Sequence, residues 1–418
     1  MPNNTKAKWA YGILNSGVFL TGLEDALNED SDSDTDFNFD EEAIITYYYN
    51  RGFEYNEILG FLEKHHNHCI SYSTLLRRLK QYGLSRRSQP SEDLLKHVRE
   101  RIKEIIDGPG SMGGYRTIWH TLEMEGIKVP RIVVQEIVKE LDPEGTELRK
   151  SHCLKRREYY NPGPNYSWHV DGYDKLKPWG FPIHGCIDGF SRRIMWLKVA
   201  RSNNLPEYPA IYFLDTVKEL GGCPVEVVTD LGTESSLLTP IQSYFRENPD
   251  AHRYVPSPRN QRMEGWWSFF SKNRSAWWRN LFQDLETQHK IDMSSEMSKE
   301  CLWYCFSKLV QEECNTVREH WNTHYIRFSR HNTVKGRPDS LYFLPEYHGA
   351  TSNLLASVAT NEILCVTQEI TLQEHDNEHQ EYFEYVRQSL GLALPTTWKE
   401  ALQCYERLID IAENGYST

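Results

Sequence analysis

The stretch from Tyr166 to Ala200, YSWHVDGYDKLKPWGFPIHGCIDGFSRRIMWLKVA, reads as three strands in a row. β-Branched and aromatic residues dominate YSWHVDGY, FPIHGCID and RRIMWLKVA, and the GFS between the last two is a tight-turn signal for a hairpin. Downstream the period changes. PEYPAIYFLDTVKELGG has helical spacing, VEVVTD is an apolar strand, LLTPIQSYFREN is a helix and HRYVP a short strand; SPRNQRMEGWWSFF (257–270) then opens another helix. Three strands followed by strands alternating with helices predict an α/β domain, a mixed sheet flanked by helices.

Three acids stand in this region where an acid is awkward. Asp171 interrupts the first strand, Asp230 ends VEVVTD, and Glu264 lies in the first turns of the helix after the next strand, with 33 residues between the last two. Each has an ordinary reading: a turn residue before Gly172, a turn residue in TDLGT, and an acid favoured by a helix N-terminus. Taken together they have another. Open α/β sheets place ligands beyond the carboxyl ends of their strands. If the first strand neighbours VEVVTD, Asp171 and Asp230 converge, and a helix crossing that edge brings Glu264 to them. Close carboxylates repel unless a cation sits between them. Mg²⁺ prefers hard oxygen ligands. Two such ions about 3.5–4 Å apart serve an in-line displacement at phosphorus. Asp171, Asp230 and Glu264 are therefore the expected catalytic and metal-binding residues, with two Mg²⁺ or Mn²⁺ ions. Arg259, Arg262, Lys272 and Arg274 nearby are expected to face a phosphate backbone. The tryptophans of this segment, Trp266, Trp267, Trp277 and Trp278, are expected to pack helices rather than stack on bases.

Working outward, residues 43–90 carry three short helical patterns, EEAIITYYYNRG, EYNEILGFLEKHH and SYSTLLRRLKQYG, punctuated by glycine. The basic third one predicts a helix-turn-helix unit, with Arg77, Arg78, Lys80, Arg86 and Arg87 toward DNA and Leu75, Leu76 and Leu79 inward. Residues 91–148 read as a second helical unit, and 149–165 as a basic linker. A long helix over about 298–323 follows the strand–helix region, and 346–418 forms an acidic, largely helical end. KHHNHC (64–69) lacks the partners of a zinc set and reads as a solvated helix end. Cys301 and Cys305, four apart on the long helix, read as core packing.

Net charge is −12 over 418 residues, but it is uneven. Residues 1–42 hold 2 basic and 10 acidic side chains and residues 361–418 hold 3 and 11, so the ends carry −16 and the middle is left at +4. The leader 1–42 has the composition of a disordered segment. Nine cysteines without a framework suit a reducing compartment. No apolar run has the length of a membrane span, and WAYGILNSGVFLTG (9–22) lacks a cleavage site.

The order and local wording of these motifs resemble the retroviral-integrase and DDE-transposase superfamily. PNYSWHVDGYDKLKPWGFPIHGCIDGFSRRIMWLKVARSNN is similar to the integrase core domains of transposon-derived eukaryotic proteins, RNQRMEGWW to the segment bearing the family's glutamate, and VREHWNTHYIRFSRHNTVKGRP to the tail of that core. The similarity spans about residues 160–345. It implies an RNase H-like fold over 166–345, preceded by helix-turn-helix units. It also implies metal-dependent cleavage and strand transfer on DNA, both element ends and target, by a nuclear homo-multimer. Asp171, Asp230 and Glu264 fall on the family's acidic triad, while Asp188 falls on a hairpin aspartate expected to be structural. TDLGTES departs from the glycine pair and asparagine usual after the second aspartate, and the zinc module of retroviral integrases is absent. The departure leaves a second reading, a domesticated DNA-binding protein that keeps the fold without strand transfer.

Overall fold

The computed structural model describes residues 40–84, 91–108, 110, 113–143, 161–232, 235–256, 260–328, 334–350, 352–370 and 378–414. Most of the acidic leader, the basic linker up to residue 160, and Arg86, Arg87 and Arg259 lie outside them.

The five strands expected from alternation are present: β1 Ser167–Tyr173, β2 Ile183–Asp188, β3 Ile194–Val199, β4 Glu226–Thr229 and β5 His252–Tyr254. They form one sheet in the order β3-β2-β1-β4-β5. β1, β2 and β3 are antiparallel neighbours, and β4 and β5 run parallel to β1 and to each other. This mixed sheet, flanked by helices, is RNase H-like. At the β2–β3 turn the Asp188 carboxylate is fully buried and accepts from Asn165 N–H, Ser191 N–H and Ser191 Oγ, each at 2.7 Å, which lets Arg192 adopt a φ of 64°. Asp188 is thus consumed in holding the hairpin.

Alternation along β1 divides its side chains between two cores. Trp168 and Val170 join Trp196, Phe213, Val217 and Leu238 under helices α7 (Glu207–Leu220) and α8 (Leu238–Arg246). His169, Asp171 and Tyr173 face the other side. There α9 (Gln261–Phe270), a π-helical turn (Ser271–Ser275), α10 (Ala276–Thr287) and α11 (Glu296–Thr323) build the larger core around Trp266, Phe282 and Phe306. Trp267 and Trp278 are buried there, with Trp277 packed against the core, so the tryptophans do pack helices.

α11 also closes the sheet. Asn322 Oδ1 accepts from Ile194 N–H at 2.8 Å and its Nδ2 donates to Ile194 C=O at 3.1 Å; Gln311 does the same for Val199 N–H (2.9 Å) and Leu197 C=O (3.1 Å). Two side-chain amides thereby replace a sixth strand along the β3 edge, where unpaired ladder groups would otherwise be left.

N-terminal to the sheet, α1 (Glu41–Asn50), α2 (Tyr55–His66) and α3 (Tyr72–Gln81) enclose a small core of Ile45, Tyr48, Phe61, Leu75 and Leu79. Ser71 caps α3 by accepting from Thr74 N–H. Leu76 does not pack inward as expected: it is 43% exposed, on the face shared with Arg77 and Lys80. In the histidine tract, His66 bonds the Tyr48 hydroxyl at 2.9 Å and His68 faces Glu41 at 3.4 Å. It is tied to neighbouring helices rather than solvated. A second unit of α4 (Glu92–Ile106), α5 (Tyr115–Met124) and α6 (Arg131–Leu141) has its own core. After α12 (Pro338–Phe343) and α13 (Thr360–Glu369) come α14 (Glu378–Ser389) and α15 (Trp398–Asn414). These last two are integral to the large core: Phe383, Val386, Cys404, Tyr405 and Leu408 pack against α11 beside Cys301 and Cys305. Among the described residues no helix is long and apolar enough to cross a membrane.

The amide clamp makes a quantitative expectation. Asn322→Ala leaves the N–H and C=O of Ile194 without their partner in a buried edge, which costs about 1–3 kcal/mol. Guanidinium denaturation should show a loss of that size with an unchanged m-value; a loss near zero would mean that water reaches the edge and the clamp is incidental.

Candidate active site

β1 and β4 run parallel side by side, so their carboxyl ends open on the same edge of the sheet. A cleft of about 660 Å³ lies there, lined among others by Asp171, Asp230, Glu264, Trp267, Lys175 and Lys272. Three different elements deliver the three acids. Asp171 is the fifth residue of β1. Asp230 follows the last residue of β4, and its Oδ1 accepts from Gly232 N–H at 3.0 Å, so the same carboxylate that faces the cleft also holds the turn. Glu264 is in the first turn of α9, half-buried.

α9 is pinned to β1 by a buried polar chain that the sequence did not advertise. Asn260, fully buried just before the helix, donates from Nδ2 to Val170 C=O at 3.1 Å, which turns its Oδ1 toward His169 Nδ1 at 2.8 Å. His169 therefore carries its proton on Nδ1 and accepts on Nε2, 3.4 Å from Ser167 Oγ. Asn161 Nδ2 donates in turn to that hydroxyl at 2.6 Å. Burial holds His169 neutral, pushing its pKa down to about 4. The chain fixes the end of α9 over β1, and with it the position of Glu264.

Asp171 carries the electrostatic strain of the site. Burial, then the charges of Asp230 and Glu264, push its carboxyl up to about 7. Two hydrogen bonds oppose that shift, from Trp267 Nε1 to Oδ2 and from Gly172 N–H to Oδ1, both 3.0 Å. A carboxyl so perturbed, by burial first and then by two other acids in a cleft, makes this the candidate functional site.

Residues 158–344 match the family model described as the integrase core domain. This segment is an integrase core domain. The match is consistent with the retroviral integrase and DDE transposase superfamily, and it covers the sheet, the cleft and α9–α11. No curated protein matches the chain.

Integrase core domains use divalent metals, and the donor set here fits one in kind: three hard-oxygen acids line one cleft and raise the proton affinity of Asp171. Among the described residues no group of three His, Cys, Asp or Glu side chains is placed as a ready metal set.

The basic residues divide. Lys272 is exposed at the cleft, and Lys175 also lines it, with its ammonium 3.4 Å from Ser271 Oγ. Arg262 lies on α9, where its charge acts on His169. Arg274 must be withdrawn as a phosphate contact: it is 7% exposed, because the π-helical turn points it inward to pair with Glu313 of α11 at 3.1 Å. On α3, Arg77 and Lys80 are exposed, whereas Arg78 is engaged with Glu41 (3.1 Å) and Gln81 (3.0 Å). Sequence reasoning missed Trp267, Lys175, Asp174 and Asn203 in the cleft. Trp267 was within reach, since it lies one helical turn beyond Glu264 on the same face.

The Asp171 shift has a signed consequence. The folded protein keeps this proton to higher pH than the unfolded chain, whose aspartates titrate near about 4. Metal-free stability is then lost as pH rises from about 4 through about 7. Thermal unfolding in EDTA should show that loss in the native protein and a flatter profile in Asp171→Asn. Superimposable profiles would remove the case for a strained carboxyl.

Proposed function

We propose that the protein is a DDE-type polynucleotidyl transferase that cuts and joins DNA at the cleft between β1, β4 and α9. The observation that carries the reading is the convergence of Asp171, Asp230 and Glu264 on one cleft of an integrase core domain. Mg²⁺ or Mn²⁺, two ions in all, bound there would supply Lewis acidity toward the scissile phosphate and lower the pKa of the attacking oxygen. Asp171, Asp230 and Glu264 would hold them. Lys175 and Lys272 on the cleft walls would orient the DNA backbone.

The reaction has two displacements in one site. In the first, a water oxygen bonds to phosphorus and the P–O3′ bond breaks, leaving a 5′ phosphate and a free 3′ hydroxyl. In the second, that hydroxyl oxygen bonds to a phosphorus of target DNA and another P–O3′ bond breaks, its oxygen taking up a proton. α3 is the proposed reading helix of a helix-turn-helix unit: Ser73, Leu76, Arg77 and Lys80 share its exposed face. With DNA as substrate, the nucleus is the proposed compartment. A multimer is the proposed working form, because joining two element ends to one target calls for two active sites. A second reading is a DNA-binding protein without strand transfer, in keeping with the lack of a ready three-ligand metal set among the described residues.

Asp171→Asn and Glu264→Gln should each lower cleavage and joining on cognate ends in Mn²⁺ by about a thousandfold or more while leaving DNA affinity in place. If the native protein binds those ends yet neither cuts nor joins them, the binder reading replaces the enzyme. Separately, Arg77→Ala with Lys80→Ala should weaken DNA binding and reduce the slope of log K against log salt by about two, measured by fluorescence anisotropy across a salt series. An unchanged slope would take α3 off the DNA.

A further inference from the structure

We infer that Trp267 is the positioning residue of this site: its indole N–H fixes the Asp171 carboxylate and thereby couples β1 to the helix that carries Glu264. The inference rests on the proposed metal-dependent reading of the cleft and adds a residue that the acidic triad does not contain.

The geometry begins with a missing side chain on β2. In the antiparallel register Asp171 lies opposite Gly185. A β-carbon at Gly185 would stand 2.8 Å from Met263 Cε and 2.9 Å from Trp267 Cη2, distances that side chains do not tolerate. The glycine is thus a notch in the sheet into which α9 lowers Met263 and the indole of Trp267. Seated there, Trp267 is 6% exposed, its ring against Tyr173 at 4.9 Å and Trp266 at 5.0 Å. From that seat Nε1 reaches sideways to Asp171 Oδ2 at 3.0 Å.

The bond has two effects. One oxygen of Asp171 is held by the indole and the other by Gly172 N–H at 3.0 Å, so the carboxylate plane is set before any ligand arrives. Because Trp267 lies three residues beyond Glu264 on α9, the same contact fixes the height and rotation of the second acid relative to the first. Tyr173, two residues beyond Asp171, bonds Ser275 through its hydroxyl, so the π-helical turn after α9 is tied to the same strand. Carboxylates that ligate metals are themselves oriented by such outer hydrogen bonds, and their loss costs about 10–100-fold in metal affinity or activity.

The test separates the N–H from the ring. Trp267→Phe keeps an aromatic side chain in the notch and removes the donor. Mn²⁺ binding to the full-length protein, followed by electron paramagnetic resonance, should weaken about tenfold. Affinity for cognate DNA ends without metal should stay close to native, while the unfolding midpoint falls modestly, because Phe leaves part of the notch empty and takes one donor from a buried carboxyl. Gly185→Ala, which pushes on the indole without touching either acid, should weaken Mn²⁺ binding in the same direction. Equal Mn²⁺ affinity in native protein and Trp267→Phe overturns the inference and leaves the proposed function standing. A native protein that binds no Mn²⁺ overturns the metal-dependent reading and the inference with it, a distinguishable pattern. Should both variants fail to fold, the indole ¹⁵N–¹H signals of native protein and Asp171→Asn decide: one signal moving supports the bond, and none moving refutes it.

Discussion

A carboxylate on the central strand of a sheet covered on both faces is the constraint to which this site is built. β1 has β2 on one side and β4 on the other, with helices above and below. An unpaired charge in such a place costs several kcal/mol, and a group that cannot be stabilised takes a proton instead. Asp171 does part of each. Two N–H donors reach it, the cleft opens beside it, and its carboxyl still rises to about 7 under burial and the charges of Asp230 and Glu264. The notch at Gly185 seats the indole that reaches this acid, and the buried chain from Asn161 to Asn260 holds the start of α9 beside it. Charge bound among the three acids would reverse the sign of their interaction and favour the ionised form.

The helical units before the core are joined to it through a few residues near the end of α11. Two contacts of buried or half-buried charges cross the junction: Arg51 pairs with Glu319, and Arg337 donates to Gly52 C=O at 2.6 Å. On the core side Arg337 also donates to Thr323 C=O, and Arg193 Nε pairs with Asp339 at 2.9 Å. α12 and the residue after it distribute their side chains among separate cores. Leu341 packs beside Phe190, Tyr342 reaches Asn165 Oδ1 at 2.9 Å, and Leu344 closes the α1–α3 core. The second unit docks through His120, bonded to Thr323 Oγ1 at 3.0 Å, and through His320, bonded to Thr117 C=O at 3.2 Å. Burial holds both imidazoles well below their ordinary pKa, so the junction is built for neutral histidine. Removing one partner from such a junction exposes the other's desolvation cost, so the units are energetically coupled to the core.

What was legible in the sequence was what local pattern encodes. The period-two runs, the GFS hairpin and the switch to helical spacing located each of the five strands, and an acid at the end of an apolar strand located the cleft. What was not legible depends on partners distant in the chain. Arg274 reads as a free basic residue because Glu313, which neutralises it, is 39 residues away. Leu76 reads as core because three leucines in a five-residue window fit one face of a helix, and only the packed unit shows two of them buried. The C-terminal helices read as an acidic appendage because their charge dominates their composition. Their apolar faces, Phe383, Val386, Tyr405 and Leu408, meet α11 only in three dimensions.

The amide clamp along β3 limits how copies of the protein can assemble. Sheet edges associate by pairing their outward N–H and C=O groups with those of another strand. On β3 the backbone groups of Ile194, Leu197 and Val199 are taken by Asn322 and Gln311, and Met195 C=O accepts from Arg318 at 3.3 Å. A partner strand arriving there would have to displace a buried helix and would recover no more hydrogen bonds than it broke. β5, at the opposite edge, has only three residues, and Arg253 on it is tied back to Glu226 of β4 at 2.8 Å. A strand pair of that length is marginal without other packing. Neither edge of the sheet thus favours strand pairing with another copy, while the edge at the ends of β1 and β4 opens on the cleft.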